Sequence, residues 1–147
     1  MQVDFEERSP NPPNCPRCLQ RGRTVPRETV QALVNISLRH VRSSYYFCAT
    51  ASCPVVYFSS VDNSTFDTSQ VRERVYQKAS TQDDTLVCYC FQHTVAEIRD
   101  ATPAQREAIM RDIEQGIRTH QCACRVRNPQ GTCCLANVRQ LAAQSTR

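Results

Sequence analysis

The spacing of apolar positions changes period partway along this chain. Val30, Leu33 and Val34 share one helical face just after Pro26, which predicts a short helix near residues 27–35. Tyr45-Tyr46-Phe47-Cys48 and Val55-Val56-Tyr57-Phe58 are continuous aromatic and β-branched runs either side of Ala49–Ser52, predicting a β-hairpin. Residues 59–70, rich in Ser, Thr, Asp and Asn, read as a loop, Val71–Gln77 as one more strand, and Ala79–Thr85 as a polar linker. After Leu86 and Val87 the helical period takes over. Thr94 can cap a helix from Val95, with Glu97 at the capping-box position. Pro103 stops that helix, and Thr102 with Pro103 begins another. Ile109, Ile113 and Ile117 recur every four residues, so the second helix runs to about Arg118. Asn128-Pro129-Gln130-Gly131 predicts a turn, and Leu135, Val138 and Leu141 a third helix to about Ala143. The pattern is α+β: a small β unit over 15–78, then a small helical unit over 86–147, behind a mobile leader, 1–14, that is polar and Pro-rich.

Ten cysteines change this picture most. They come in close pairs: Cys15/Cys18, Cys48/Cys53, Cys88/Cys90, Cys122/Cys124 and Cys133/Cys134. Two pairs brought together supply four thiolates, the ligand set of a structural zinc or an iron–sulfur cluster. A disulfide framework is the rival, but it needs an oxidising compartment. The segment MQVDFEERSPNPPN has no apolar stretch of the signal-peptide kind, and no apolar run reaches the roughly 18 residues of a membrane span, so a cytoplasmic protein with no membrane insertion is expected. Adjacent Cys133 and Cys134 could bridge only in a strained ring.

Four cysteines precede residue 54, six follow residue 87, and the 34 residues between hold none, so two sites are predicted. Cys15-Pro-Arg-Cys18, 29 intervening residues, then a hairpin turn bearing Cys48 and Cys53, has the layout of a zinc ribbon. A closed site of four thiolates has a structural role; a rubredoxin-like iron site would use the same ligands. His40 could substitute as a ligand, but with four cysteines present it reads as an ordinary histidine. The one-residue gap of Cys88-x-Cys90 suits two sulfurs on one iron of a two-iron cluster.

Composition narrows the function. Gly is only 3, so no Gly-rich phosphate loop exists. The formal charge of +4 suggests nucleic acid, but each four-thiolate site carries about −2, bringing the loaded protein near zero and making nucleic-acid binding an unfavoured reading. No catalytic constellation is visible. His93, beside Cys88 and Cys90, could tune a cluster through an N–H···S bond, though a surface histidine is the plainer reading.

The runs VCYCFQHTVAEI and CACRVRNPQGTCCLANV resemble the [2Fe–2S]-binding family of the bacterioferritin-associated-ferredoxin type. Together with CPRC and YYFCATASCPVVYF, over about residues 15–143, the chain is similar to the N-terminal domains of the CopZ copper chaperones, where a zinc-binding unit precedes the cluster unit. The resemblance implies a helical [2Fe–2S] domain with Cys88 and Cys90 as ligands and Cys134, which opens the last helix, as the closing one. For the third ligand, the 31 residues between Cys90 and Cys122 suit the simple ferredoxin-type spacing, while the nine between Cys124 and Cys134 suit the CopZ arrangement; Cys124 is favoured, with Cys122 and Cys133 as alternates. Those two would then be spare thiols, either buried apolar residues or soft ligands for Cu(I). The Met-x-Cys-x-x-Cys motif of a CopZ copper carrier is not found here, where the methionines are Met1 and Met110.

Two functions follow as expectations. One is an accessory iron–sulfur and zinc protein of copper handling, a one-electron metallochaperone that works with a protein partner and could reduce Cu(II) through its cluster. The other is a zinc-ribbon binding module whose cluster acts as a redox or iron sensor for its partner.

Overall fold

A computed structural model describes residues 12–35, 44–61 and 64–145. His40 and most of the predicted leader lie outside the described residues. The leader's last residues are structured: Asn14 bridges Arg21, and the Pro13 carbonyl accepts from Gly22 N–H at 3.0 Å.

Four short strands, β1 (Arg23–Val25), β2 (Tyr45–Phe47), β3 (Val55–Ser59) and β4 (Thr65–Asp67), form an antiparallel sheet in sequence order. The predicted hairpin is β2–β3, with Phe47 opposite Tyr57. β3 is buried along its whole length. Val56 and Tyr57 enter one core with Val30, Leu33, Phe47 and Phe66, while Val55 and Phe58 pack with Cys15, Cys48 and Cys53. A register shift between Val55 and Tyr57 breaks the simple alternation and lets one strand serve both. Helix α1 (Arg27–Leu33) starts after Pro26 as predicted and buries Thr29, Val30 and Leu33.

Two sequence expectations fail here. The loop predicted over 59–70 contains β4, which Phe66 anchors in the core. The strand predicted over 71–77 does not form: Val71 makes a single bridge to Val34, and Tyr76–Lys78 is a 3-10 turn.

The second half opens with a two-stranded ribbon, β5 (Leu86–Cys88) and β6 (His93–Thr94). Helix α2 (Val95–Arg99) has the predicted capping box from Thr94 and Glu97. Helix α3 (Pro103–Arg118) starts on a Thr102–Gln105 box with Pro103 in its first turn. A four-residue repeat drifts about 40° per step around a helix, so Ile109 and Ile113 are buried but Ile117 is 36% exposed. Gly116 takes the buried position instead. After the short helix α4 (Cys124–Arg127), residues 128–131 are buried, which is unusual for a polar turn. Helix α5 (Leu135–Ser145) closes a core of Val87, Val95, Ile98, Ile109, Ile113, Val138 and Leu141. None of the described helices is long and apolar enough to cross a membrane.

Candidate metal centres

The first centre is built by two tight backbone turns facing each other. In Cys15–Gln20, Leu19 N–H donates to the Cys15 carbonyl at 2.9 Å and Cys15 N–H to the Gln20 carbonyl at 2.8 Å. Leu19 adopts a left-handed φ of 65°, which closes the turn and leaves its side chain 68% exposed. The hairpin turn supplies the other wall: Cys48 N–H donates to the Val56 carbonyl at 2.8 Å, and Cys53 N–H to that of Thr50 at 3.2 Å.

The four sulfurs, Cys15, Cys18, Cys48 and Cys53, all lie within 4.8 Å of one another. Cys15 and Cys53 sulfurs are 3.9 Å apart, Cys18 and Cys48 sulfurs 3.6 Å. A tetrahedron with metal–sulfur bonds of about 2.3 Å has an edge of about 3.8 Å, so the donor set fits zinc. Burial pushes the Cys15 thiol up to about 12, and Cys53 up as well. Cys18 falls to about 6, chiefly because Thr50 Oγ1 lies 3.3 Å from its sulfur. Lys78 Nζ donates to the Thr50 carbonyl at 2.6 Å and reaches Cys48 Sγ at 3.6 Å, offsetting the negative charge that four thiolates bring.

The second centre draws on the β5–β6 ribbon, the segment 122–124 and the start of α5. Cys90 Sγ is 3.7 Å from Cys124 Sγ and 4.0 Å from Cys122 Sγ; Cys122 and Cys124 sulfurs are 3.1 Å apart. Cys88 and Cys134 are both buried, and the neighbouring Cys124 and Cys88 thiols push Cys134 up. The neighbouring Cys134 thiol is the main reason Cys88 falls to about 7 and Cys124 to about 5, while burial raises Cys90 to about 12. Ala123 N–H donates to Cys90 Sγ at 3.1 Å. The structure gathers the predicted Cys90 and Cys124 with the alternate Cys122 into one sulfur group, while the predicted Cys88 and Cys134 are buried and are not part of that group. The alternate Cys133 is exposed and joins no described sulfur group. All ten cysteines are free of disulfides. The grouped thiols of Cys90, Cys122 and Cys124 offer soft donors that could hold a metal ion.

His93 follows neither sequence reading. It is buried, and both ring nitrogens are taken, Nδ1 by Glu97 and Nε2 by Asp112, each at 2.9 Å. Neither nitrogen is left for a sulfur. Burial lowers its pKa, but the two carboxylates together outweigh burial and leave it raised. Sequence reasoning missed Lys78; a lone lysine at a helical turn carries no signal for a partner 30 residues earlier.

The fold and site define a two-centre cysteine protein in which an antiparallel sheet carries a zinc-binding domain. Residues 12–72 match the zinc binding domain family of the CopZ type. Over 128 residues the chain is 30% identical to the Copper chaperone CopZ of Archaeoglobus fulgidus, spanning 86% of this chain and 60% of that protein's length. The crystal structure of the Archaeoglobus fulgidus CopZ N-terminal domain is similar to this fold, with a TM-score of 0.67, 30% identity, and coverage of 87% of this chain and 96% of that one. Residues 12–72 belong to the CopZ zinc-binding-domain family, and the chain is homologous to that N-terminal domain.

Proposed function

We propose that the chain is an accessory protein of copper handling with two resident metal groups. In the unit 15–78, Cys15, Cys18, Cys48 and Cys53 hold zinc. In the unit 86–147, Cys88, Cys90, Cys124 and Cys134 hold a [2Fe–2S] cluster. When bound, such a cluster supplies one-electron chemistry. The observation that carries the reading is the second gathering of thiols, where Cys90 lies 3.7 Å from Cys124 and 4.0 Å from Cys122, with Cys88 and Cys134 also buried. Cys122 is then the spare soft donor, next to Cys124 and half exposed, where Cu(I) cargo can meet it. The homologous Copper chaperone CopZ supports copper as the cargo and a protein partner as its recipient.

Metal and sulfide analysis of anaerobically purified protein, with visible and EPR spectra, tests this. About two irons, two acid-labile sulfides and one zinc per chain are expected. Iron without sulfide, with a rubredoxin-like spectrum, would contradict it. Cys88→Ser or Cys90→Ser should abolish the cluster and keep zinc, while Cys122→Ser should keep the cluster and weaken Cu(I) capture in a chelator competition. If the Cys122→Ser variant loses the cluster, the ligand assignment is wrong; if the wild type competes poorly for Cu(I), the copper role is wrong.

A further inference from the structure

The segment that carries Cys122, Cys124 and Cys134 leans on the sheet half of the molecule. Tyr57 Oη donates to the Pro129 carbonyl at 2.6 Å. Arg125 pairs with Glu28 at 2.6 Å. Gly131, at a left-handed φ of 77°, is seated so closely that a Cβ there would meet Pro26 Cδ at 2.8 Å and Thr29 Oγ1 at 2.9 Å.

Residues 74–78 tie both cysteine-bearing segments of the second centre to the first. Tyr89, between Cys88 and Cys90, donates its hydroxyl to the Arg74 carbonyl at 2.5 Å and accepts from Tyr76 N–H at 2.9 Å. Buried Gln130 accepts from Gln77 Nε2 at 2.6 Å and from Asn137 Nδ2 at 2.9 Å. Its own Nε2 donates to the carbonyls of Thr132 at 3.3 Å and Cys133 at 3.1 Å, immediately before Cys134. Next to Gln77, Lys78 reaches the Thr50 carbonyl and Cys48 Sγ in the hairpin turn of the first centre. One contiguous path thus runs from Cys48 through Lys78, Gln77 and Gln130 to the backbone before Cys134, with a branch through Tyr89 to Cys88 and Cys90.

We propose that residues 74–78 act as a strap through which occupancy of the Cys15/Cys18/Cys48/Cys53 centre governs how firmly the second centre holds its metal, with Gln130 and Tyr89 as positioning residues. The inference rests, for the identity of the second group, on the cluster reading above. Metal in the first centre turns four thiols into thiolates and fixes the hairpin turn, giving Lys78 a concentrated negative charge and a rigid carbonyl to hold. Without metal both are lost, the strap loosens, and Gln77 and the Arg74 carbonyl no longer present a fixed surface to Gln130 and Tyr89. The coupling is reciprocal: a loaded second centre raises zinc affinity by the same factor.

The test uses the full chain. Loss of iron to a ferrous chelator is timed with zinc present, with zinc removed by a zinc chelator, and in Cys53→Ser. Loss about tenfold faster or more without zinc is expected. With zinc bound, Lys78→Ala and a Gln77→Ala, Tyr89→Phe double variant should lose iron at nearly the zinc-free rate. In the double variant zinc removal should have no further effect, and Lys78→Arg should restore the slow rate. A second readout needs no cluster: in iron-free protein, alkylation of Cys88, Cys124 and Cys134 should be about tenfold slower with zinc than without. If iron and sulfide bind and neither rate depends on zinc, the strap is refuted and the cluster stands. If no sulfide binds but alkylation follows zinc, the cluster reading falls and the strap stands. If Cys53→Ser fails to fold, the chelator-stripped wild type decides.

Discussion

At Gly116 a single added carbon would sit 2.0 Å from Cζ of Phe91, and within 2.7 Å of the neighbouring ring atoms. Phe91 follows Cys90 directly, so its ring packing helps set where that cysteine sits. Gly116→Ala should force the half-buried ring aside and cost about 1–3 kcal/mol, read from a thermal melt. Combined with Phe91→Ala, the two losses should be strongly non-additive; additive losses would mean that the contact does not matter. His93 offers a second test. Its raised pKa means that the fold favours the protonated ring. That contribution is complete below the ordinary value of 6.5 and is lost as pH rises through the elevated folded value. Asp112→Asn should lower the His93 midpoint in an NMR titration, and should destabilise the protein more at about pH 5.5 than at about pH 9. An unmoved midpoint would show that Asp112 is not a determinant.

Among the elements, those announced by local chemistry were legible beforehand. The Thr94–Glu97 box marks α2 because cap and partner lie three residues apart, and Thr102 with Pro103 marks the start of α3. Thr102→Ala should therefore cost about 1 kcal/mol, measured by denaturant unfolding; no change would mean that Pro103 alone sets the start. The hairpin was legible because two apolar runs flank a short turn. β1 and β4 were not, since each has three residues and forms only by pairing with distant β2 and β3. Val71–Gln77 misled because Val71 and Val75 do reach the core, but among the described residues no strand edge receives them beyond the Val34 bridge. The same divide holds at the centres. Close cysteine pairs were visible as spacing, whereas the outward turn of Cys133 depends on where α5 begins: Cys134, directly before Leu135, faces the core, and Cys133 one position earlier does not.

For the whole molecule, metal and proton compete. Cys15 and Cys53, held up by burial, must release protons before zinc binds. Apparent zinc affinity should fall steadily as pH drops from about 8 to 6, measured against a chromophoric chelator; a flat profile would mean that the thiols are already ionised. Tyr57→Phe, which leaves the Pro129 carbonyl unpaired between the two halves, should cost about 1–3 kcal/mol, with the melt as the check. The same contact has a meaning in time. Tyr57 and Pro129 are 72 residues apart. At a synthesis rate of about 5–20 residues per second, Tyr57 leaves the ribosome several seconds before its partner exists. Both sulfur-bearing turns of the first centre are already made by then. A nascent chain can thus take up its first metal while the second centre is still being translated, and the late segment closes onto a finished surface.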